Sequence, residues 1–509
     1  MPSIKVNDNG DSQEKILKNT SFLTGAFVVQ KVISFLYFIF IARRVGPVDL
    51  GLYDPIKSLI PITLILIDFS LSAVVTREIA RAPERKKEYV SNILGIKILF
   101  GLVVMFIAGL ATTLGNFDSV TRTLLYIVGM IVVLDTFTLT FFAVFRGLQN
   151  LLYESVAIII NQVLTISAGG AALLMGFGLK GLFLATLLGS VFNFTFAFFV
   201  LKRKVGINPM PSWDRRIIGS FLKMALPFAL AAILAKVFTY TDRYMLLSLA
   251  GKQYVGWYIT ANKLTFALEF IPSAFAASVY PAMSALYVTS KEQLARTFEK
   301  SMQYLLIIAI PLSLAVFTLS HRLIVQLYTS VFNPSVTPLR IMILGLFAVF
   351  LNYPVGALLN ATNRQTKNTI NMGITVTVNI ILDILLIPRF TFIGAAVSTL
   401  ISMLLLFSLG MYQAAKVVPY RMKHLLNLLL KSIFCSLIMS GILYMIAPHI
   451  TFNVTPYIKN FGSYIQILLY YGLLGVIGAS IYGGLSVGLK AISIQEIRSL
   501  YHSLAKKVS

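Results

Sequence analysis

Long, continuously apolar windows alternate with short polar loops along this chain. About fourteen windows approach or exceed the roughly 20 residues that a helix needs to cross the hydrocarbon of a bilayer. They lie near residues 21–42, 55–76, 91–113, 123–145, 155–176, 182–201, 218–242, 254–280, 301–319, 338–359, 368–388, 393–415, 425–447 and 463–489. A membrane β-barrel would instead show ten-residue strands of alternating polarity. The pattern therefore predicts an all-α polytopic membrane protein, with twelve spans as the alternative if two windows are misread.

The two halves of the chain resemble each other. At a constant offset of 205 residues, Lys31-Val32, Gly46, Gly51 and Tyr53 reappear as Lys236-Val237, Gly251, Gly256 and Tyr258. At an offset of 213, Asn150, Gly181 and Thr186-Leu187 reappear as Asn363, Gly394 and Thr399-Leu400. A membrane protein built from two similar halves is typical of transporters, in which the halves move around a central site.

This repeat predicts the domain organisation. Residues 1–20 form a cytoplasmic tail, residues 21–201 an N-lobe of six spans, and residues 218–415 a C-lobe of six spans, with a central cavity between the lobes. The hydrophilic loop at 202–217 links the lobes. Two further spans at 416–489 lie outside the repeat, and residues 490–509 form a second cytoplasmic tail.

The charge balance fits a membrane protein better than a nucleic-acid-binding one. The net charge is +24, yet only 12% of residues are charged and 57% are hydrophobic. Of the 43 Lys and Arg residues, 26 lie in the tails and the loops on their side of the membrane, against nine on the opposite side. By the positive-inside rule, both termini are cytoplasmic and the protein lies in the cell membrane. The polar first 20 residues lack a signal-peptide pattern, so the first span is retained.

Motifs for common catalytic and metal sites are missing from the sequence. The segment nearest to a P-loop, Gly483–Lys490, has Leu489 where the lysine belongs. The four His residues are scattered, and Cys435 is the single cysteine, which excludes an intramolecular disulfide. We therefore expect a protein that is not an enzyme and that has no cofactor or bound metal, other than a coupling Na⁺ or H⁺.

Several ionisable residues fall inside the predicted spans, where they are costly and typically face a protein-lined interior. The first, second, seventh and eighth spans hold most of them. Together with two tyrosines that could stack on sugar rings, they form the predicted substrate-binding cavity: Lys31, Lys57, Lys236, Asp242, Arg243, Lys263, Glu269, Tyr53 and Tyr258. Such a cationic cavity fits an anionic cargo that carries a phosphate, a sugar head and a lipid tail.

Other interpretations remain open for individual charges. Lys97, Lys223 and Lys431 lie near span ends, from which they can reach the interface. Asp242-Arg243 could be an interfacial pair, and Lys263 and Glu269 could neutralise each other. Arg146 opens a loop and is interpreted as positive-inside charge. The carboxylates predicted to bind a coupling ion, H⁺ or Na⁺, are Asp68, Asp135 and Asp383.

Local sequences add a family resemblance. They include Leu50-Gly51-Leu52-Tyr53, Thr76-Arg77-Glu78-Ile79-Ala80-Arg81, Phe145-Arg146-Gly147-Leu148-Gln149, Thr241-Asp242-Arg243-Tyr244-Met245-Leu246 and Ile393-Gly394-Ala395-Ala396. The chain resembles the polysaccharide-biosynthesis (Wzx-like) flippases of the multidrug/oligosaccharidyl-lipid/polysaccharide exporter superfamily. It departs from the usual pattern of the second span, which has a Gly where this chain has Phe69.

The resemblance implies a flippase that moves a polyprenyl-phosphate- or pyrophosphate-linked oligosaccharide to the outer leaflet by alternating access. It implies a cavity role for Lys31, Lys236, Asp242, Arg243 and Lys263. The expected partners are that substrate, membrane lipids and the glycosyltransferases or polymerases of the same pathway, with the protein itself a monomer. The alternatives are a cation-coupled multidrug exporter, a murein-lipid flippase and, last, a membrane glycosyltransferase or polymerase.

Overall fold

The fold is taken from a computed structural model that describes residues 9–115, 117–449 and 461–489. The predicted tail at 490–509, and residues 1–8 of the predicted N-terminal tail, lie outside the described residues. Within the described ranges the chain is almost entirely helical and contains no strand, which confirms the predicted all-α class. The helices are α1 (Asn9–Asp68), α2 (Leu71–Arg81), α3 (Lys86–Leu114), α4 (Ser119–Gly147), α5 (Leu152–Leu174), α6 (Gly178–Val200), α7 (Arg215–Leu249), α8 (Lys252–Ala267), α9 (Phe270–Thr289), α10 (Lys291–Leu327), α11 (Val336–Leu344), α12 (Leu346–Ala361), α13 (Gln365–Ala415), α14 (Met422–Ile446) and α15 (Phe461–Gly488).

Two helices are too long to be single straight spans. At 60 residues, α1 would measure about 90 Å if straight, against roughly 30 Å of hydrocarbon. It is interrupted at Gly46, where φ is 74°, and α13 is interrupted at Thr391, where φ is 50° and ψ is −130°. The α13 helix therefore contains two of the apolar windows, 368–388 and 393–415, and α1 contains window 21–42 and the larger part of window 55–76.

The described part of the chain has eleven helical stretches that are long and apolar enough to cross a membrane. The number rises to twelve if the bent pair Ser330–Leu344 and Leu346–Ala361 counts as one span. In this count α1 from Gln30 onward and α13 are each one stretch, in spite of their interruptions. The figure of fourteen spans stays a prediction.

Contacts divide the chain into two compact units. Unit 1 comprises residues 1–45 and 52–240, and unit 2 comprises residues 46–51 and 241–509. The division falls inside α7 and not in the predicted linker at 202–217, so the first part of α7 packs with unit 1. The linker packs on α3, where the Ser212 amide donates to the Ser91 carbonyl at 2.9 Å.

In unit 1, α5 packs against α6, and α6 against α4. A buried core joins α2, α3, α4 and the start of α7, and includes Leu71, Val75, Ile93, Phe145 and Phe221. In unit 2, α10 is the central helix, because it contacts α9, α11, α12, α14 and α15. The two C-terminal helices, which lie outside the sequence repeat, are thus packed into the core of unit 2.

Repeat-related glycines adopt related geometries in unit 2. Gly46 and Gly251 both have positive φ, 74° and 108°, which allows the chain to turn sharply at each position. A Cβ atom at Gly51 would overlap the Lys252 carbonyl group, and one at Gly256 would overlap the Pro47 carbonyl group. Pro47 and Lys252 are themselves 205 residues apart, so the two close approaches are related by the repeat.

Candidate ion-coupling and substrate site

Three helices of unit 2 bring together a buried group of oxygen-bearing side chains. We call this group the Asp242 cluster. Asp242 is contributed by α7 and Tyr258 by α8, and the other four residues lie on either side of the Thr391 interruption in α13. Every member is at most 6% exposed. Its six members are Asp242, Tyr258, Asn379, Asp383, Ser398 and Thr399.

Hydroxyl groups surround one oxygen of Asp242. The Tyr258 hydroxyl donates to Asp242 Oδ2 at 2.5 Å. The Thr399 hydroxyl lies 2.8 Å from the same oxygen and 2.9 Å from the Tyr258 hydroxyl. Asp242 Oδ1 has no hydrogen-bond partner among the described residues. Hydrogen bonds to Oδ2 therefore hold the Asp242 carboxyl group in place, and its Oδ1 atom is available to a further ligand.

Asp383 is the most unusual member of the cluster. Its side chain is fully buried, and neither carboxyl oxygen has a hydrogen-bond partner within the described ranges. Asp242 and Ser398 are the polar groups that face it. A buried, unpaired carboxylate is costly, and two facing carboxylates cannot both stay charged without a counter-ion. Neutralising one of the two carboxyl groups, with a proton or with a cation, would relieve this cost, and an ion-coupling role for Asp383 stays a prediction.

The remaining atoms suit a hard cation. Asn379 donates its amide N–H to Ser398 Oγ at 3.0 Å, and its Oδ1 atom has no partner in the described part of the chain. The available donors are carboxyl, hydroxyl and amide oxygens, which hard cations prefer to nitrogen or sulfur. No set of three or more His, Cys, Asp or Glu side chains converges anywhere in the described ranges. Interrupted helices such as α13 typically supply such ion sites in transporters.

Other predicted cavity residues of unit 2 have polar partners of their own. Arg243 is buried and donates to Asn262 Oδ1 at 3.4 Å. Glu269 accepts a hydrogen bond from the Tyr353 hydroxyl at 3.3 Å. Lys263 is half-buried on α8. Asp242 and Tyr258, also members of the predicted set, are directly joined by a hydrogen bond.

In unit 1, the predicted cavity residues Tyr53 and Lys57 form a pair on α1. Lys57 Nζ donates to the Tyr53 hydroxyl at 2.7 Å and lies 5.0 Å from the ring centroid. Lys236, on the part of α7 that belongs to unit 1, lies 5.8 Å from the Tyr240 ring centroid. Lys31 is exposed on α1. A cavity role for Lys31 and Lys236 stays a prediction.

Lys97 does not reach the interface, and the interpretation based on its position in the span is wrong. It is fully buried, and its Nζ atom lies 2.5 Å from Asp68 Oδ1. It also donates to the Thr140 hydroxyl at 2.7 Å and to the Thr136 carbonyl at 3.1 Å. The Ser72 hydroxyl donates to Asp68 as well. Because Lys97 balances the charge of Asp68, this carboxylate differs from Asp383, and its ion-coupling role stays a prediction.

Asp135 and Arg146 both interact with a side chain on a neighbouring helix. Asp135, the third predicted ion-coupling carboxylate, interacts with Ser190 on α6. Arg146 contributes more than loop charge, because it forms a two-pronged ion pair with Glu154 at 2.7 and 2.8 Å, and Glu154 is only 2% exposed. This pair fixes the turn between α4 and α5.

Sequence reasoning missed the roles of Asn379, Ser398 and Thr399. Thr399 belongs to the 213-residue repeat, so a repeated threonine near a span carboxylate was a usable signal. Asn379 precedes Asp383 by four residues and therefore lies on the same helix face. Nothing in the local sequence separates Ser398 from the other serines of the spans.

Comparison with known proteins places this fold in a family. The sequence profile described as "Polysaccharide biosynthesis protein" matches residues 16–287, and the MatE profile matches residues 227–385. The Haloferax volcanii protein named "Probable flippase AglR" is 25% identical, with 96% of this chain and 98% of the relative covered. "Probable low-salt glycan biosynthesis flippase Agl15" of the same organism is 21% identical, with 73% of this chain and 77% of the relative covered.

Solved structures agree on the fold. A structure titled "Lipid II flippase MurJ, inward closed conformation" aligns with a TM-score of 0.70 at 18% identity, covering 92% of this chain and 98% of that one. At this level of identity the likeness concerns the fold alone. Together with the profile matches, it confirms the resemblance that the sequence motifs indicate.

Proposed function

The chain belongs to the polysaccharide biosynthesis protein family, and we propose that it moves a polyprenyl-phosphate- or pyrophosphate-linked oligosaccharide from the cytoplasmic to the outer leaflet of the cell membrane. The observation that carries this proposal is the family match, which covers residues 16–287. Full-length similarity to a protein named as a flippase supports it. Both termini are then cytoplasmic, as the distribution of basic residues predicts.

The charges within the spans support an anionic head group. Lys57 and Lys236 in unit 1, and Arg243 and Lys263 in unit 2, are each placed in apolar helices and are at most partly exposed. Lysine and arginine bind phosphate both by charge and as hydrogen-bond donors. In this proposal each of these cations can attract the phosphate of the carrier lipid. Tyr53 is only 3% exposed and packs against Phe183, so the predicted stacking of its ring on a sugar is wrong.

The Asp242 cluster supplies the coupling step. A sodium ion or a proton bound between Asp242 and Asp383 relieves the repulsion between the two carboxylates. Because these residues lie on different helices, binding and release of the ion change how α7 and α13 pack together. A ligand shifts a conformational equilibrium toward the state that it binds better. In this proposal an ion gradient therefore drives the protein between its inward-open and outward-open states.

The MatE match at residues 227–385 favours a second candidate, a cation-coupled exporter of drugs. That match runs from Pro227 in α7 to Leu385 in α13, and it contains Asp242 and Asp383. The excess of basic over acidic residues in the first, second, seventh and eighth predicted spans argues against cationic drugs as cargo. A murein-lipid flippase shares the phosphate chemistry and differs only in the head group.

Transport by the purified protein separates these functions. Proteoliposomes are loaded with a polyprenyl-pyrophosphate oligosaccharide, a murein lipid or a cationic dye, and an inward or outward sodium gradient is imposed. Gradient-dependent movement of the oligosaccharide lipid supports the proposal. Movement of the dye alone would establish the exporter, and movement of the murein lipid alone would establish the third function.

A further inference from the structure

Unit 2 contains an apolar groove at the junction of α13 and α14. The groove has a volume of about 400 Å³, within the range of small-molecule sites. Its walls come from α10, α12, α13 and α14, and its inner part is formed by buried side chains. Those inner residues are Met302, Leu306, Leu351, Met411 and Leu425.

The mouth of the groove differs in character from its interior. Tyr412, Met422 and Leu426 line the mouth and are exposed, and Tyr420 is half-buried. The Tyr420 ring packs 6.0 Å from Phe298, and its hydroxyl donates to the Met411 carbonyl at 3.4 Å. Tyrosines are enriched where spans meet the head-group region. The groove thus opens beside residue types that are typical of the boundary between hydrocarbon and polar head groups.

Three cations border this mouth. Lys416 immediately follows α13, Arg421 immediately precedes α14 and Lys423 is in its first turn. All three are exposed, and none forms an ion pair with a described residue. Lys416 Nζ lies 4.0 Å from the Tyr412 ring centroid. The sequence contains no Asp or Glu between Asp383 and Glu496, so no acidic residue neighbours these cations along the chain.

We propose that this groove binds one anionic phospholipid of the surrounding membrane. One hydrocarbon chain fills the apolar interior, and the phosphate is held by Lys416, Arg421 and Lys423. The apolar interior of the groove alone would accept the hydrocarbon chain of any lipid. The cations at its mouth add selectivity for a negatively charged head group. Basic pockets between membrane helices on the cytoplasmic side bind anionic lipids in this way.

The bound lipid would also connect helices. The groove is walled by α10, α12, α13 and α14. Lys416 and Arg421 lie on the short connection between α13 and α14, and Lys423 lies in the first turn of α14. A lipid seated there contacts both the helices shared with the repeat and the first of the two C-terminal helices. Unit 2 is then more stable with the lipid than without it, by mass action.

Binding is tested on the full-length purified protein, by native mass spectrometry and thermal unfolding in neutral detergent. The probes are phosphatidylglycerol, phosphatidylcholine with the same chains, and glycerol 3-phosphate. We expect phosphatidylglycerol to bind at least tenfold more tightly than the other two and to raise the Tm. If phosphatidylcholine binds as tightly as phosphatidylglycerol, the cations do not select the head group. If glycerol 3-phosphate binds as tightly as phosphatidylglycerol, the apolar groove does not hold a hydrocarbon chain.

Variants separate the two ends of the site. The triple variant K416Q/R421Q/K423Q should lose roughly fivefold in affinity per cation removed. Ser408→Phe adds a bulky ring at an exposed position of the lining and should obstruct entry to the groove without changing charge. The matched control is K202Q/R203Q/K204Q, which removes three exposed cations from unit 1. Unchanged affinity in the first triple variant, or equal losses in both triple variants, would contradict the proposal. Retained Tm in phosphatidylcholine shows that each variant is folded.

Discussion

The Nζ atom of Lys97 lies 2.5 Å from Asp68 Oδ1 and has no exposed surface. This ion pair joins the end of α1 to the middle of unit 1, because Lys97 also donates to Thr136 and Thr140 on α4. Each charge depends on the other, since Lys97 is fully buried and the Asp68 side chain is only 10% exposed. Their separation would leave one charge buried without a partner, which is among the larger penalties known in proteins.

Lys97→Met is therefore expected to destabilise the protein by about 3–5 kcal/mol, because it leaves Asp68 without a counter-charge. Thermal unfolding in detergent measures the effect as a lower Tm. Adding Asp68→Asn to Lys97→Met should recover part of the loss. The control is Lys223→Met, an exposed lysine of unit 1. Equal Tm values for Lys97→Met and Lys223→Met would contradict this account of the pair.

The Asp242 cluster predicts a sodium or proton dependence that one substitution removes. Asp383→Asn deletes the charge that the coupling ion balances, whereas Asp242 keeps its hydrogen bonds from Tyr258 and Thr399. We expect sodium to raise the Tm of the wild-type protein, with choline as the reference cation. Asp383→Asn should lower the apparent sodium affinity by at least about tenfold, because it removes one of the two negative charges that attract the ion.

The control for this experiment is Glu292→Gln, which neutralises an exposed carboxylate of unit 2. It should leave the sodium effect intact. If sodium has no effect on the wild type but acidification does, the cluster binds a proton instead. If neither ion changes the Tm or transport, or if Asp383→Asn responds as the wild type does, the coupling role of the cluster is wrong.

Close backbone packing at Gly51 predicts that even one methyl group is too large there. A Cβ at this position overlaps the Lys252 carbonyl group, so Gly51→Ala should destabilise this arrangement by about 1–3 kcal/mol and reduce transport. Gly256→Ala should have a similar effect, because it overlaps the Pro47 carbonyl group. A transport assay and a Tm measurement report on both variants.

Two further glycines serve as controls for this prediction. Gly219→Ala meets no atom within 4 Å on α7 and should be neutral or stabilising by about 0.5–1 kcal/mol, as alanine favours helices. Gly46→Ala also meets no atom, but its φ of 74° makes it strained. It should therefore lose stability through its backbone alone. A Gly51→Ala variant as active and stable as Gly219→Ala would refute the packing argument.

Much of the fold follows from the sequence because lipid restricts the solutions. Spanning segments must satisfy their backbone hydrogen bonds internally, so continuous apolar windows such as 123–145 reliably become helices, here α4. The repeat also located positions of special geometry, among them Gly46, Gly51 and Gly256. The unit boundary was less predictable, since packing of the first part of α7 leaves no mark on the polarity of the linker.

Contacts between polar residues that are far apart in the chain could not be predicted from the sequence. Lys97 lies a few residues into its window, where a long side chain can either reach the interface or turn inward, and the sequence position is the same in both cases. Its partner Asp68 is 29 residues away. Asp242 and Thr399 are separated by 157 residues, and no spacing rule connects them. Such contacts depend on helix packing, which the apolar pattern does not specify.

The basic residues predicted to contact the cargo give a prediction for transport. Lys57→Ala and Arg243→Ala should slow movement of the oligosaccharide lipid, because each removes a cation that can bind phosphate. Lys180→Ala, which removes an exposed lysine from unit 1, is the matched control and should transport normally. The measurement is the initial rate of oligosaccharide-lipid transport in proteoliposomes. Equal rates in all three variants would exclude a role of Lys57 and Arg243 in binding the cargo.

The most direct measurement for the proposed flippase is the sidedness of the lipid-linked glycan pool in cells that lack this protein. The account predicts that finished polyprenyl-linked oligosaccharide accumulates on the cytoplasmic face, and that the wild-type gene restores export. Lys31→Ala, Lys236→Ala and Asp383→Asn should restore it poorly. An unchanged pool, together with new sensitivity to cationic drugs, would contradict the flippase and establish the exporter.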